Sequence, residues 1–389
     1  MNQGKYVFSQ LMSLVSHNDF NACVERYGGD YKVKEFTCWK QFLCMAFGQL
    51  THRESLSDTV LCLSKLDSKL YHLGIGKAIT KSTLSKANEN RDWRIYADLA
   101  RNLIFQAKAM YGVDSDLDIE INGDVFAIDA TVIDLCLSVY PWAKFRRAKS
   151  AVKLTTQLNL KNAIPEYIEI TSAAVHEVKT LDDINFQPGS IYVMDRGYID
   201  YKRLYKIHLV EAFFVIRAKN NLQYRLIKSF KANKAIGVYC DQKIKLKNKL
   251  VATYYPQEMR RIKFKDFESD KTFVFLTNNN NLTAVEIAQL YKYRWKIELF
   301  FKWIKQHLKI KSFWGTSINA VKTQVWIAIT VYLLILIAKR KYKIEQTLYE
   351  MLQLFSITSL ERTSITELFS QEIMSKNEEL KANQLKMFE

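Results

Sequence analysis

YKYRWKIELFFKWIKQHLKI, residues 291–310, is the stretch on which the reading of this chain turns. It sets Tyr291, Arg294, Glu298 and Lys305 at offsets of 0, 3, 7 and 14. At about 100° per residue of an α-helix those offsets fall within an arc of roughly 60°, so the four side chains share one stripe. Lys302 and Lys309 fall on the same stripe, while Tyr293, Ile297, Phe300, Ile304 and Leu308 form an apolar face suited to a core. A solvated helix laced with ion pairs would intersperse more acids. One carboxylate among an arginine, a tyrosine and lysines instead suggests a metal-binding acid surrounded by phosphate-binding groups.

Upstream, Thr283-Ala284-Val285-Glu286 matches a capping box, so the helix is expected to begin there. Trp295 and Trp303 are read as packing residues at the core boundary, and His307, on the opposite face, is not taken as a ligand. Before this helix the periodicity is that of strands. DVFAIDATVIDLCLSVY, AVKLTTQLNL, EYIEITSAAV, SIYVMDRG and AFFVIRAK are rich in β-branched and aromatic residues, with a helical stretch, YIDYKRLYKIHLV, between the last two. This order predicts a mixed α/β sheet.

Asp129 closes the apolar run Val125–Ile128, and Asp195 closes Ile191–Met194. Acids at the C-terminal ends of buried strands stand where ligands bind in open α/β sheets. With Glu298 they would make three hard oxygen ligands suited to Mg²⁺ or Mn²⁺. Either aspartate could equally start a turn, and Asp124, Asp134 and Asp200 are competitors that periodicity does not separate.

Between Arg217 and Lys265 fourteen lysines or arginines face two acids, Asp241 and Glu258. Lys243-Ile244-Lys245-Leu246-Lys247 reads as a half-exposed antiparallel strand with lysines outward, and Thr272–Thr277 as a further short strand. Residues 1 to about 115 carry helical spacing. Within them TKSTLSKANENRDW offers Ser82 or Thr83 as an N-cap and a basic helix that would serve either as a helix-turn-helix recognition element or as a solvated helix of a bundle.

The formal charge of +17 and pI near 9.4 favour an anionic partner, nucleic acid before membrane. A 48% hydrophobic fraction excludes general disorder. The six cysteines have no metal-ligand spacing and read as buried, reduced thiols. Val325–Ala338, about 14 apolar residues, is shorter than the ~20 that span a bilayer and is expected to be a buried helix ended by Lys339–Lys343. With no cleavable apolar core in MNQGKYVFSQ, a cytoplasmic location and no membrane partner are expected. No nucleotide-binding glycine motif and no Ser–His–Asp or Cys–His nucleophile pattern is present.

Tyr291-x2-Arg294-x3-Glu298-x6-Lys305 resembles the YREK signature of the DDE transposases of bacterial insertion-sequence family 4. The resemblance extends to IDATVID around Asp129, MDRGY around Asp195 and FFVIRAK beyond, over roughly residues 120–340. It implies an α/β fold with a ribonuclease H-like mixed-sheet core interrupted by a β-rich insertion, a helical N-terminal domain and a helical C-terminal tail. The implied domains are 1–117, helical and DNA-binding; 118–220, first part of the core; 221–282, the basic insertion; 283–340, second part of the core; and 341–389, a helical tail.

It implies Asp129, Asp195 and Glu298 as ligands of two Mg²⁺ or Mn²⁺ ions. Tyr291, Arg294 and Lys305 would contact DNA phosphates; Lys302 and Lys309, on the same helical stripe, are read as further DNA-binding residues. Double-stranded DNA, both transposon ends and target, would be the substrate of a homodimer at the bacterial nucleoid, cut and joined by phosphoryl transfer. An inactive DNA-binding derivative, or a nuclease or resolvase on the same core, are the competing readings.

The sequence departs from the family in two places. Lys153-Leu154 is followed by Thr155 where many relatives carry histidine. No tryptophan lies between 143 and 294 to stack on a flipped base, which leaves Tyr239, Tyr254, Tyr255 and Phe264 as candidates.

Overall fold

The computed structural model describes residues 4–112, 115, 117–146, 149–308, 310 and 313–370, so Lys309 lies outside the described residues, as does the side chain of His307. The chain divides into two compact units, residues 113–301 and, around them in sequence, residues 1–112 with 302–389.

The helical unit opens with α1 (Val7–Met12), α2 (His17–Arg26), α3 (Cys38–Leu50), α4 (Leu56–Ser64), α5 (Asp67–Leu70), α6 (Lys81–Asn90) and α7 (Arg94–Tyr111). Ser16, Thr37 and Ser55 cap α2, α3 and α4, each hydroxyl accepting a first-turn N–H. The cap of α6 is Thr80, not Ser82 or Thr83: its backbone is extended and its hydroxyl accepts from Thr83 N–H, which puts both expected caps inside the first turn. Leu84, Ala87 and Asn88 form the buried side of α6.

The unit's centre is α12 (Ile318–Lys341), capped by Ser317 and buried on every side from Val325 to Ala338. By length and composition it could cross a membrane, but 94% of its most apolar window is buried inside the protein. Helices α3, α6 and α7 pack around it, and α13 (Leu348–Thr358) follows. The two ends of the described chain are tied together there. The Val7 and Phe8 N–H groups donate to Glu361 and Ser359 carbonyls, and the buried Gln10 amide bonds both Thr363 O and Ile365 N–H.

The other unit holds a ten-stranded sheet: β1 (Val125–Leu135), β2 (Lys144–Arg146), β3 (Lys149–Asn159), β4 (Pro165–Ser172), β5 (Ile191–Met194), β6 (Phe213–Arg217), β7 (Tyr224–Ser229), β8 (Val238–Leu246), β9 (Met259–Asp266) and β10 (Lys271–Thr277). The order is β2-β3-β1-β5-β6-β10-β9-β8-β7, with β4 on β3. β1, β5 and β6 are parallel neighbours; the pairs on either side are antiparallel.

Parallel strands are covered on both faces, which is why Val125–Ile128 and Ile191–Met194 are unbroken apolar runs. On one face Phe126, Ile128, Tyr192, Met194, Phe214 and Ile216 pack with α8 (Tyr201–Leu209). On the other, Phe275 meets Tyr291 of α10 (Ala284–Tyr293) at 4.8 Å between ring centroids. The basic strands do not stand apart from this core. β10 pairs with β6, so β7–β10 prolong the same sheet. Within β8, Ile244 and Leu246 are buried and Lys245 is exposed, the alternation read from the sequence.

Three cysteines, 23, 38 and 44, are buried as expected; Cys62 and Cys240 are half-buried, and Cys136 is exposed because it follows the solvent-facing end of β1.

Candidate active site

Asp129 is in the middle of β1, not at its end. β1 runs on to Leu135 because the antiparallel partner β3 continues beside it, whereas the parallel partner β5 stops at Met194. Ile128 is in register with Met194, so the next residues, Asp129 and Asp195, come side by side where β5 leaves the sheet. Asp195 is extended, and a 3₁₀ turn over Arg196–Tyr198 follows, closed by Tyr198 N–H on Asp195 O at 3.0 Å.

The capping box forms as read. Thr283 Oγ1 accepts from Glu286 N–H, and Glu286 Oε2 accepts from Thr283 N–H. The helix it starts is not continuous, however. α10 ends at Tyr293, and α11 (Trp295–His307) begins after Arg294. Arg294 N–H donates to Tyr291 O, and Ile297 N–H to Arg294 O, both three residues back, a tighter winding than the α-helix.

From that break the side chains reach the sheet edge. Tyr291 OH donates to Asp195 Oδ1 at 3.3 Å. Arg294 Nη1 donates to Asp129 Oδ2 at 2.7 Å, and its Nη2 to Glu298 Oε1 at 2.5 Å. The structure thus brings Asp129, Asp195, Tyr291, Arg294 and Glu298 into one hydrogen-bonded cluster within one unit. Burial drives the Asp129 carboxyl up to about 6, against the pull of the Ala130 N–H and of Arg294. Burial also raises the Tyr291 phenol.

Lys302 and Lys305 belong to the later turns of α11, counted with the helical unit; Lys302 is exposed and Lys305 half-buried.

The competing acids are accounted for. Asp200 caps α8 and pairs with Arg203; Asp124, before β1, accepts from Asn159; Asp134 is exposed near the far end of β1.

Three features of the site were not read from the sequence. Trp295 is 58% exposed, not packed at the core boundary, because the helix break turns it outward. It lines a cleft of about 810 Å³ with Asp195, Arg217, Phe264, Phe273 and Tyr291, in which the Arg217 guanidinium lies 5.3 Å from the Phe273 ring centre. Of the aromatic residues considered for stacking, Phe264 lines this cleft and Tyr239 and Tyr254 are part-exposed, but Tyr255 is fully buried, its hydroxyl on His208 Nδ1. Glu177 contributes a further negative charge near Asp129, from a loop with no sequence signal, and pairs with Lys153 at 3.6 Å.

Residues 121–334 match the family model described as "Transposase DDE domain". The chain belongs to the DDE transposase family. Its residues 3–76 match a second model, "Domain of unknown function (DUF4372)". The chain is 34% identical over 242 residues to the putative transposase y4zB of Sinorhizobium fredii, covering 61% of this chain and 67% of that one. It is 27% identical over 264 residues to a putative transposase for insertion sequence element IS4SA of Synechocystis, covering 67% and 72%. A probable transposase for IS5377 of Geobacillus stearothermophilus is 27% identical over 210 residues, where the chain spans 55% of its relative.

DDE transposases act on DNA and normally use divalent metal ions. The donor set of this DDE transposase suits such ions, since every acid of the cluster offers hard oxygens. Two buried hydroxyls point the same way. Thr156 Oγ1, in register with Asp129 across the β1–β3 pair, and Tyr198 OH, in the turn after Asp195, have no hydrogen-bond partner among the described residues. A buried orphan hydroxyl costs about 1–3 kcal/mol, which a hydrated ion nearby would relieve. Among the described residues no three acids converge closely enough to hold an ion in this arrangement. The Arg294 guanidinium stands between Asp129 and Glu298 instead.

Proposed function

We propose that this chain is a transposase of insertion-sequence family 4 that cuts DNA at the terminal inverted repeats of its element and joins the ends to target DNA. The observation that carries this reading is the meeting of Asp129, Asp195 and Glu298 through Arg294 and Tyr291. Asp129, Asp195 and the segment from Tyr291 to Glu298 lie far apart in the chain, 169 positions at the extremes, and share no local reason to associate.

Asp129, Asp195 and Glu298 would hold two Mg²⁺ or Mn²⁺ ions on a ribonuclease H-like core. When bound, such a pair activates the attacking oxygen and stabilises the leaving one in an in-line displacement. The remaining groups position DNA. Arg294 offers a planar fork matched to a phosphate. Tyr291 holds Asp195 and packs at a tilt against Phe275, which fixes the acid's orientation. Lys305 is assigned a phosphate contact from its place in the YREK spacing, and Lys302 and Lys309 from the helical stripe they share with it. Trp295, exposed in the cleft beside Asp195, is suited to stack on a base next to the cut.

The exposed lysines and arginines of β7–β9 would add sequence-independent affinity that falls steeply with salt. Base reading is assigned to the helical N-terminal region, with α6 as its recognition helix, and the active species to a homodimer on paired ends.

The deciding experiment incubates the protein with duplexes carrying the element's ends and Mg²⁺, beside Asp195→Ala. Strand transfer that requires Asp195 supports the proposal. Binding without cleavage would mark an inactive derivative, and cleavage indifferent to the terminal repeat, without joining, a nuclease.

A further inference from the structure

The place between Asp129 and Glu298 where a cation is wanted is already filled by one. Arg294 spans the two carboxylates with one Nη on each, and its side chain is only 15% exposed. Its Nε, also shielded, has no hydrogen-bond partner among the described residues, so the fork is only partly satisfied where it rests. Arg294 also lines the open cleft with Trp295 and Arg217, so an anion entering that cleft comes up against this residue. The residue sits between two helices and not within one, where a change of backbone disturbs fewest hydrogen bonds.

We infer that Arg294 is an internal counter-cation that keeps divalent ions out of the acid cluster until a DNA phosphate draws it away. This rests on the reading that Asp129, Asp195 and Glu298 hold the ions. A guanidinium and a divalent ion cannot share the same two carboxylate oxygens, because the like charges repel at contact distance. An ion that bridges Asp129 and Glu298 through those oxygens therefore requires the arginine to leave, and a buried arginine leaves for another anion. A backbone phosphate in the cleft is that anion and takes the fork in two-pronged fashion. Phosphate binding and ion binding are thereby coupled, and by linkage each tightens the other by the same factor. In cellular Mg²⁺ the protein free of DNA would stay unloaded.

The test measures Mn²⁺ binding to the full chain by the loss of the free-ion electron paramagnetic resonance signal. It is run with and without a generic duplex of about 20 base pairs. Binding by the duplex alone is subtracted, and only the component lost in Asp195→Asn is scored. The duplex should tighten Mn²⁺ binding to the wild-type protein at least tenfold. Arg294→Gln should bind Mn²⁺ at least tenfold more tightly than wild type without DNA, and the duplex should then add less than twofold. Arg294→Lys, which cannot bridge both acids, should lie between them.

Equal tightening of wild type and variants by the duplex, or no gain in Arg294→Gln and Arg294→Lys without it, overturns the inference while leaving the ion site intact. If Asp195→Asn changes Mn²⁺ binding nowhere, the ion-site reading fails too. The wild-type comparison needs no variant to fold.

Discussion

Replacing Asp129 with asparagine should stabilise the metal-free protein while abolishing cleavage, and the size of the gain follows from the site. The Asp129 carboxyl titrates near 6 in the folded protein, against an ordinary value of 3.8, with burial as the main cause. A tenfold change in a proton's affinity is worth about 1.4 kcal/mol, so ionised Asp129 weakens the fold by up to about 3 kcal/mol at neutral pH. The attraction of Arg294 is already contained in that figure. Asparagine keeps the shape, but its single amide oxygen can replace only one of the two carboxylate oxygens that accept from Arg294 and the Ala130 N–H, so the gain falls short of the full figure.

For an acid with a raised folded value the native state holds the extra proton between about pH 4 and pH 6. Wild-type stability should therefore fall as pH rises through that window, relative to Asp129→Asn. Urea unfolding of both proteins in EDTA at pH 4.5, 6.0 and 7.5 measures the difference, with all other titrating groups in common. It should be small at pH 4.5 and reach about 1–3 kcal/mol in favour of the variant at pH 7.5. A difference that stays flat with pH, or a variant less stable than wild type at pH 7.5, would refute the account of Asp129 as an acid held ionised against its surroundings.

Asp241 and Arg260 form a buried two-pronged pair at 2.8 and 2.7 Å, and Arg260 also holds the Asn279 and Leu282 carbonyls ahead of α10. Asp241→Asn should cost about 3–5 kcal/mol in urea unfolding and reduce cleavage as α10 loosens; a loss under about 1 kcal/mol would contradict this. Gly237 turns at φ +85°, and an added Cβ would lie 2.5 Å from Lys265 O. Gly237→Ala should therefore lower stability by more than about 1 kcal/mol, read from the same unfolding curves. Trp295→Ala should leave stability within about 0.5 kcal/mol and weaken duplex binding by about 1–3 kcal/mol in fluorescence anisotropy, with Trp295→Phe close to wild type.

What the sequence made legible was local. The strands carrying Asp129 and Asp195 announced themselves because burial on two faces demands unbroken apolar runs. The start of α10 did so because Thr283 and Glu286 satisfy each other's backbone. What stayed hidden depends on pairing between distant residues. Nothing in β6 or β10 says that they are neighbours, so the sequence does not reveal that the basic strands continue the sheet. Nothing in the basic tract singles out Asp241 and Arg260 as partners, since a buried pair leaves no periodic trace. The break at Arg294 carries no glycine or proline, and without it Trp295 reads as a core residue. Of the expected single stripe, Tyr291, Arg294 and Glu298 meet at the sheet edge, from two helices and not one, while Lys302 and Lys305 lie on later turns of α11.

That break also explains why these particular residues meet. Adjacent strands lie about 4.8 Å apart, so Asp129 and Asp195 present two carboxyls at that interval. Three residues of α-helix rise about 4.5 Å, and three of 3₁₀-helix about 6 Å, so Tyr291 and Arg294 present two donors at nearly the same interval. The 3₁₀-like winding at Arg294 brings side chains three apart into line, and the guanidinium accordingly sits over the Tyr291 ring at 5.6 Å. Tyr291 then meets Asp195 and Arg294 meets Asp129, helix step matched to strand step. Glu298, one turn further on, is reached by the second Nη of the same arginine. The spacing of tyrosine, arginine and glutamate is set by the geometry of a sheet edge, and a one-residue insertion between Tyr291 and Arg294 would break both contacts at once.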